Sequence, residues 1–333
     1  MHSPKKRLKH VILLMVMIMV AFVTAPSWAG KVMKLDLNAI YGSTSFHTVG
    51  AMDFAALAKT YSKGSVAITV HPGGSLGFKG PELLKAVKDA QLPMSDILMG
   101  VVAGSEHVFG LSSLPRLAGS FAQAKSLYTD SKPLYEKAAA KWNQKFLYAA
   151  PWPPSGMVTN RAVASAADIK GLKTRTYDKN GANFLRELGG APLSLPWGEV
   201  YSSLRTGMID SVLTSAESTK NGKFWEVLDN FTNINYAFPL NMVTVNMDYW
   251  KAMSKDQQDA ILKAAAETET NQWQRSESKT REALDIIKEN GFTIAEPSDA
   301  LSAEMDKAAA LIVEEFSKKA DKKTRALLEA YTK

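Results

Sequence analysis

Gly73-Gly74-Ser75-Leu76-Gly77 is the stretch of this chain that carries the lettering of a catalytic site. It fits G-x-S-x-G, lies between an extended run and a helical one, and so could present Ser75 as the nucleophile of a secreted serine hydrolase. Such an enzyme needs a base histidine late in the chain, after its acid. The only histidine beyond Ser75 is His107, so the glycines read better as a permissive turn that brings backbone close to another group. His47, His71 and His107 show neither HExxH nor a helical pair spacing, and no metal site is expected. There is no GxGxxG or Walker-type phosphate loop. There is no cysteine, which excludes disulfides, thiolate ligands and a cysteine nucleophile. Glu82 and Glu199 open helices, where the dipole favours a carboxylate, and the acidic pairs near the C-terminus read as solvated helix faces. Neither catalysis nor a cofactor is expected.

The first thirty residues say where the chain works. Lys5, Lys6, Arg7 and Lys9 form a basic head with no acid, residues 11–23 are unbroken apolar, Pro26 ends the run, and Ser27-Trp28-Ala29 offers small residues at the −3 and −1 positions of a peptidase site. This is the pattern of a cleaved secretory signal, residues 1–29, and it predicts a periplasmic protein. The apolar run falls well short of the roughly 20 residues that span a bilayer. Removing the four cations of the head lowers the net charge from +7 to +3. No basic stripe with interleaved aromatics remains, so nucleic acid is not an expected partner. The roughly 300 residues left suit two lobes better than one core.

The elements that would position a site alternate. Residues 32–40 and 66–70 read as strands, 48–61 and 81–90 as helices, and 95–102 as a short apolar strand. Residues 121–146 read as helix and 147–150 as strand. A second block repeats the theme: strand 171–177, helix 180–188 stopped at Gly189-Gly190, extended 191–195, helix 197–205, strand 208–213. From 254 onward the chain is overwhelmingly helical, with one long helix over 255–290 and more helix over 300–331. Such alternation implies an α/β fold with largely parallel sheets.

Residues 165–246 carry a resemblance. Asp168-Ile169-Lys170-Gly171-Leu172-Lys173-Thr174-Arg175 is followed by Leu188-Gly189-Gly190-Ala191-Pro192, then Glu199-Val200-Tyr201, then Leu204-Arg205-Thr206-Gly207-Met208-Ile209-Asp210. This closely resembles the solute-binding receptors of TRAP transporters, the DctP family, whose pattern runs DLKGLKxR, LGAxP, EVYxALqxGxVDG. Upstream, residues 73–84 with Ala86-Val87 and Asp96 fit the family's LG…ELLxAVxxGxxDM, and Trp225-Glu226-Val227 and Asn246 fit as well. The resemblance implies a two-lobe, class II-like periplasmic binding protein with a long interlobe helix. Lobe I would take residues 30–152 plus about 240–278, and lobe II 153–239 plus about 279–333. Closure over an organic acid would bend crossovers near 152–155, 237–241 and 278. A monomer would deliver its ligand to the TRAP membrane permease subunits or, alternatively, to a signalling partner.

The family's GLKxR arginine grips the ligand carboxylate, and here that is Arg175. Independently, Arg175 falls near the end of a predicted strand, and parallel sheets bind ligands outside the carboxyl ends of their strands. A guanidinium fork matches a carboxylate with two parallel hydrogen bonds. A surface arginine or an internal ion pair is the plainer alternative. Trp197 matches an aromatic that packs on the ligand, although a core tryptophan would look the same. Thr214 and Ser215 stand where the family has an amide, and Tyr236 matches a polar contact of some members. Where sialic-acid receptors carry a second arginine this chain has Ser155, and their charged contacts fall on Val101 and Gly104. One strong cation with Tyr41, Trp152, Trp197 and Phe238 fits an aromatic, branched or 2-oxo/2-hydroxy monocarboxylate better than a sugar acid, whose unpaired hydroxyls would cost about 1–3 kcal/mol each.

Overall fold

The computed structural model describes residues 32–332; the signal segment expected over 1–29 lies outside them. The chain builds two sheets. The first has the order β2-β1-β3-β10-β4 and the second β11-β9-β5-β8-β6-β7. In the first, β1 (Met33–Ala39), β2 (Val66–His71), β3 (Met94–Leu98) and β4 (Gln144–Pro151) run one way and β10 (Leu240–Asn246) runs against them. In the second, β5 (Ser155–Thr159) alone runs against β6 (Lys173–Thr176), β7 (Ala191–Ser194), β8 (Ser211–Ser215), β9 (Asn230–Thr232) and β11 (Thr293–Ala295). The largely parallel reading therefore holds. Each reversed strand is the one that the chain enters directly after leaving the other sheet.

Helices cover the sheets: α1 (Phe46–Tyr61), α2 (Leu83–Lys88), α3 (Phe121–Lys141), α4 (Ala166–Ile169), α5 (Lys179–Glu187), α6 (Val200–Arg205), α7 (Ala216–Asn221), α8 (Met247–Ala252), α9 (Lys255–Glu289), α10 (Asp299–Lys319) and α11 (Lys322–Tyr331). The helix expected over 121–146 stops early because Asn143 turns left-handed (φ +53°), and β4 starts at once. The strand expected over 95–102 winds into a 3-10 turn after Leu98, and 300–331 breaks where Asp321 caps a new helix by accepting from Thr324 N.

The two crossings form one ribbon. Trp152 N donates to Pro239 O at 2.8 Å, Ser155 N to Ala237 O at 3.1 Å, and Tyr236 N to Ser155 O at 2.9 Å. These bonds carry the pairing of β4 with β10 on to Ser155; residues 233–235 then leave the ladder before β5 pairs with β9 from Met157 and Thr232. Pro153, Pro154 and Pro239 lack an N–H, so the ribbon's ladder is thin there.

Helix α9 bridges both halves. It opens with a reciprocal cap between Ser254 and Gln257. Ile261, Ala264 and Ala265 are buried in the core of the first sheet, and Ala283 and Ile287 in that of the second. Between them Gln272 Nε2 donates to Phe46 O at 3.0 Å, and Gly50 of α1 leaves the room: a Cβ there would collide with the Gln272 amide.

Candidate functional site

A cavity of about 760 Å³ opens at the carboxyl ends of the parallel strands of both sheets. The reversed strands contribute their amino ends, Ser155 and the neighbouring Pro239. The first sheet supplies Ile40, Tyr41, Leu98 and Val101. The crossing supplies Trp152. The second sheet supplies Arg175, Tyr177, Asp178, Trp197, Thr214 and Ser215.

Arg175 sits within β6, registered between Leu193 of β7 and Val212 of β8. It is only 5% exposed. Its Nε donates to Leu195 O at 3.0 Å, which aims the fork. Among the described residues no carboxylate lies within ion-pair distance of it and its terminal amino groups have no hydrogen-bond partner. Its guanidinium lies 5.9 Å from the centre of the half-buried Trp197 ring. Burial pulls its pKa down to about 10, which leaves it cationic at neutral pH. Asp178 acts on it only through space, without an ion pair, and a buried cation with no direct anionic partner is costly; an anion entering the cavity would supply that partner.

The walls are aromatic. Trp152 is 8% exposed and meets Tyr41 edge-on at 4.9 Å and Phe46 at 5.1 Å. His47 lies 4.4 Å from Trp152, and burial lowers its pKa to about 3, so it stays neutral. The Gly73-Gly74 turn, with both residues at positive φ, has a use: Gly73 N donates to Tyr41 O at 2.8 Å and fixes the Tyr41 backbone. Ser75 itself is exposed outside the cavity, and His71 Nε2 is engaged with Asp36 at 2.7 Å. Ser155 Oγ lies 3.4 Å from the Tyr177 hydroxyl, and Ser215 Oγ caps α7 by accepting from Ser218 N. Val101 and Gly104 line the cavity without charge; Lys79, Lys179 and Lys319 line it as exposed cations.

Arg175, Trp197, Thr214, Ser215, Ser155, Trp152 and Tyr41 are thus brought together. Tyr236 and Phe238 are not. Tyr236 is fully buried and donates to Ser113 O at 3.0 Å; Phe238 packs edge-on against Phe121 at 4.9 Å and borders a separate void of about 20 Å³. In an extended segment alternate residues face opposite sides, so 236 and 238 share the side turned from the cavity that Pro239 reaches.

Sequence reasoning missed Asp178 and the wall from α10. Asp178 is 5% exposed; its Oδ1 accepts from Gly181 N at 2.9 Å and caps α5, while Oδ2 has no hydrogen-bond partner among the described residues. Burial pushes its carboxyl up to about 6. A capping aspartate right after a strand, three residues after Arg175, was the available signal. Ile312, Glu315, Phe316 and Lys319 line the cavity from one face of α10.

Two sheets joined by a paired crossing, with a cavity between their strand ends, make the fold of a periplasmic solute-binding protein. The chain belongs to the DctP family, the bacterial extracellular solute-binding proteins of family 7, whose model matches residues 38–319. It is a TRAP-type receptor for organic acids, and the family is non-enzymatic. Among solved structures it is similar to DctP7 of Bordetella pertussis, an extracytoplasmic solute receptor binding pyroglutamic acid (TM-score 0.88, 28% identity, 90% of this chain and 99% of that one). It is similar also to a marine-metagenome TRAP solute-binding protein specific for pyroglutamate (TM-score 0.87, 30% identity, 91% and 99%). The 2,3-diketo-L-gulonate-binding periplasmic protein YiaO of Escherichia coli is 27% identical over 75% of this chain and 77% of its own length.

Proposed function

We propose that this chain is a periplasmic receptor that binds a small monocarboxylate with a compact apolar body and delivers it to a TRAP permease. The observation that carries the reading is Arg175: a buried guanidinium with no carboxylate in ion-pair distance among the described residues, lining one cavity with Tyr41, Trp152, Tyr177 and Trp197. Pyroglutamate, the ligand of the two similar receptors above, is a compact monocarboxylate without hydroxyls, its ring carrying methylenes and one lactam group. Ser155 and uncharged Val101 and Gly104 leave the cavity interior with one strong cation, which disfavours a second carboxylate.

A thermal-shift panel of pyroglutamate, aromatic and 2-oxo monocarboxylates, C4-dicarboxylates and sugar acids tests the ligand class. A hundredfold excess over Kd stabilises by about 2.7 kcal/mol. Stabilisation by dicarboxylates or sugar acids alone would overturn the monocarboxylate reading. Arg175→Ala should cost about 2–5 kcal/mol of binding, roughly 30-fold to several thousand-fold by calorimetry. Arg175→Lys should recover part of it, because an ammonium lacks the planar fork. Unchanged affinity in Arg175→Ala would move the anchor elsewhere.

Export rests on the signal lettering of residues 1–29 and on the periplasmic relatives. Intact mass from a periplasmic fraction should begin at Gly30; a full-length membrane-bound species would contradict it. For the lobes, we assign β1–β4 and β10 to one and β5–β9 and β11 to the other. The ribbon at 152–155 and 237–239 and the middle of α9 are the places that bend.

A further inference from the structure

Trp152 meets the cavity with its ring rather than its N–H. Nε1 donates to Asn241 Oδ1 at 2.8 Å, and Asn241 Nδ2 donates in turn to Asp96 Oδ1 at 2.7 Å. Asn241 and Asp96 are each 2% exposed. The two bonds fix the amide's orientation. The indole N–H can only donate, so a flipped Asn241 would set its amino group against it, donor against donor, in a place that water does not reach to repair. The relay therefore has one arrangement. Its members come from separate parts of the fold: Trp152 from the crossing between β4 and β5, Asn241 from the start of β10, and Asp96 from within β3. Tyr41 and Phe46 hold the ring edge-on from the other sides.

We propose that Asn241 and Asp96 are positioning residues that hold the Trp152 ring as an apolar wall of the cavity and thereby select a compact ligand body without hydroxyls over a hydroxylated one. The selection rests on the ligand reading given above; the positioning does not. With its N–H turned inward, the ring offers no donor to a ligand hydroxyl, which would lose water without replacement. An indole released from the relay can turn its N–H toward the cavity, and the preference narrows.

The test compares the intact chain with Asn241→Leu, which removes the acceptor at similar size. The probes are acetate, a carboxylate without a body, pyroglutamate and D-gluconate. The readouts are their affinities and the Trp152 indole N–H in ¹⁵N-tryptophan-labelled protein, assigned by loss of the signal in Trp152→Phe. In Asn241→Leu the indole N–H should shift and lose protection from solvent exchange. Pyroglutamate should weaken by about tenfold, acetate should hardly change, and gluconate should gain relative to pyroglutamate. An unmoved indole signal overturns the positioning. A moved signal with an unchanged pyroglutamate-to-acetate ratio overturns the selection. Wild-type preference for gluconate over pyroglutamate overturns the ligand reading and the selection with it, while the indole signal still decides the positioning. Should Asn241→Leu fail to fold, Asp96→Ala, which leaves the amide unanchored, must move the same ratio and signal, and Asp96→Asn, which keeps a carbonyl acceptor, must restore both.

Discussion

At the scale of single residues, the charge pattern around Arg175 makes a prediction about pH. Asp178 and Asp96 are buried carboxyls whose pKa values burial raises from 3.8 to about 6 and about 7. The folded chain therefore binds these protons more tightly than the unfolded one. Their contribution to stability is full below the unfolded value and is lost as pH rises through the folded value. For Asp178 the loss is on the order of 3 kcal/mol between about pH 4 and pH 6. Asp178→Asn keeps an oxygen to cap α5 and has no proton to lose, so its urea midpoint should fall less steeply across that window than that of the wild type. Parallel slopes would mean that Asp178 stays ionised in the fold. Arg175 was legible because its motif is a run of letters. Asp178 was not, because its importance comes from what covers it: Gly100, where a Cβ would run into Asp178 Oδ2, and Ser113 beside it. Both lie far away in sequence. Tyr236 and Phe238 failed to reach the cavity for a related reason. A matched position fixes where a residue sits along the chain, whereas strand parity fixes the side on which it points.

At the scale of elements, hydrophobic period and punctuation located most helices and strands, and long α9 ended within a residue of its expected end. No strand was expected at β5, β9, β10 or β11; elsewhere the boundaries slip where a strand runs into a 3-10 turn, as after β3 and before α6, because both segments are apolar or short and their periods do not separate. The partner of an element was less legible than its existence. Ile312, Phe316 and Lys319 have helical spacing in the sequence, but nothing there says that this face meets the cavity. Helix α9 depends on its first turn, where Ser254 and Gln257 satisfy otherwise unpaired N–H groups. Ser254→Ala should cost about 1 kcal/mol and lower the melting temperature by a few degrees. A melt indistinguishable from wild type would show that the cap is replaced by solvent.

At the scale of the whole molecule, the fold class and the two-sheet architecture were legible from alternation and motif order. The pairing of the two crossings was not, since it needs residues 152–155 and 236–239 side by side. That pairing bears on motion. With prolines thinning the ladder and α9 running alongside, the proposed closure would bend the two halves together about one line. Ligand should reduce the radius of gyration in small-angle scattering, and an unchanged value at saturating pyroglutamate, with binding shown separately, would mean a rigid pocket.

The place of β10 in the first sheet has a further consequence, for the order in which the molecule can come into being. This strand lies between β3 and β4, yet in the chain it follows β4 only after almost all of the second sheet has been laid down. A nascent chain that has emerged only through β9 holds β3 and β4 with an empty slot between them, and every bond that would fill it is non-local. Such pairings form slowly. The first sheet therefore cannot be completed until most of the chain has been made.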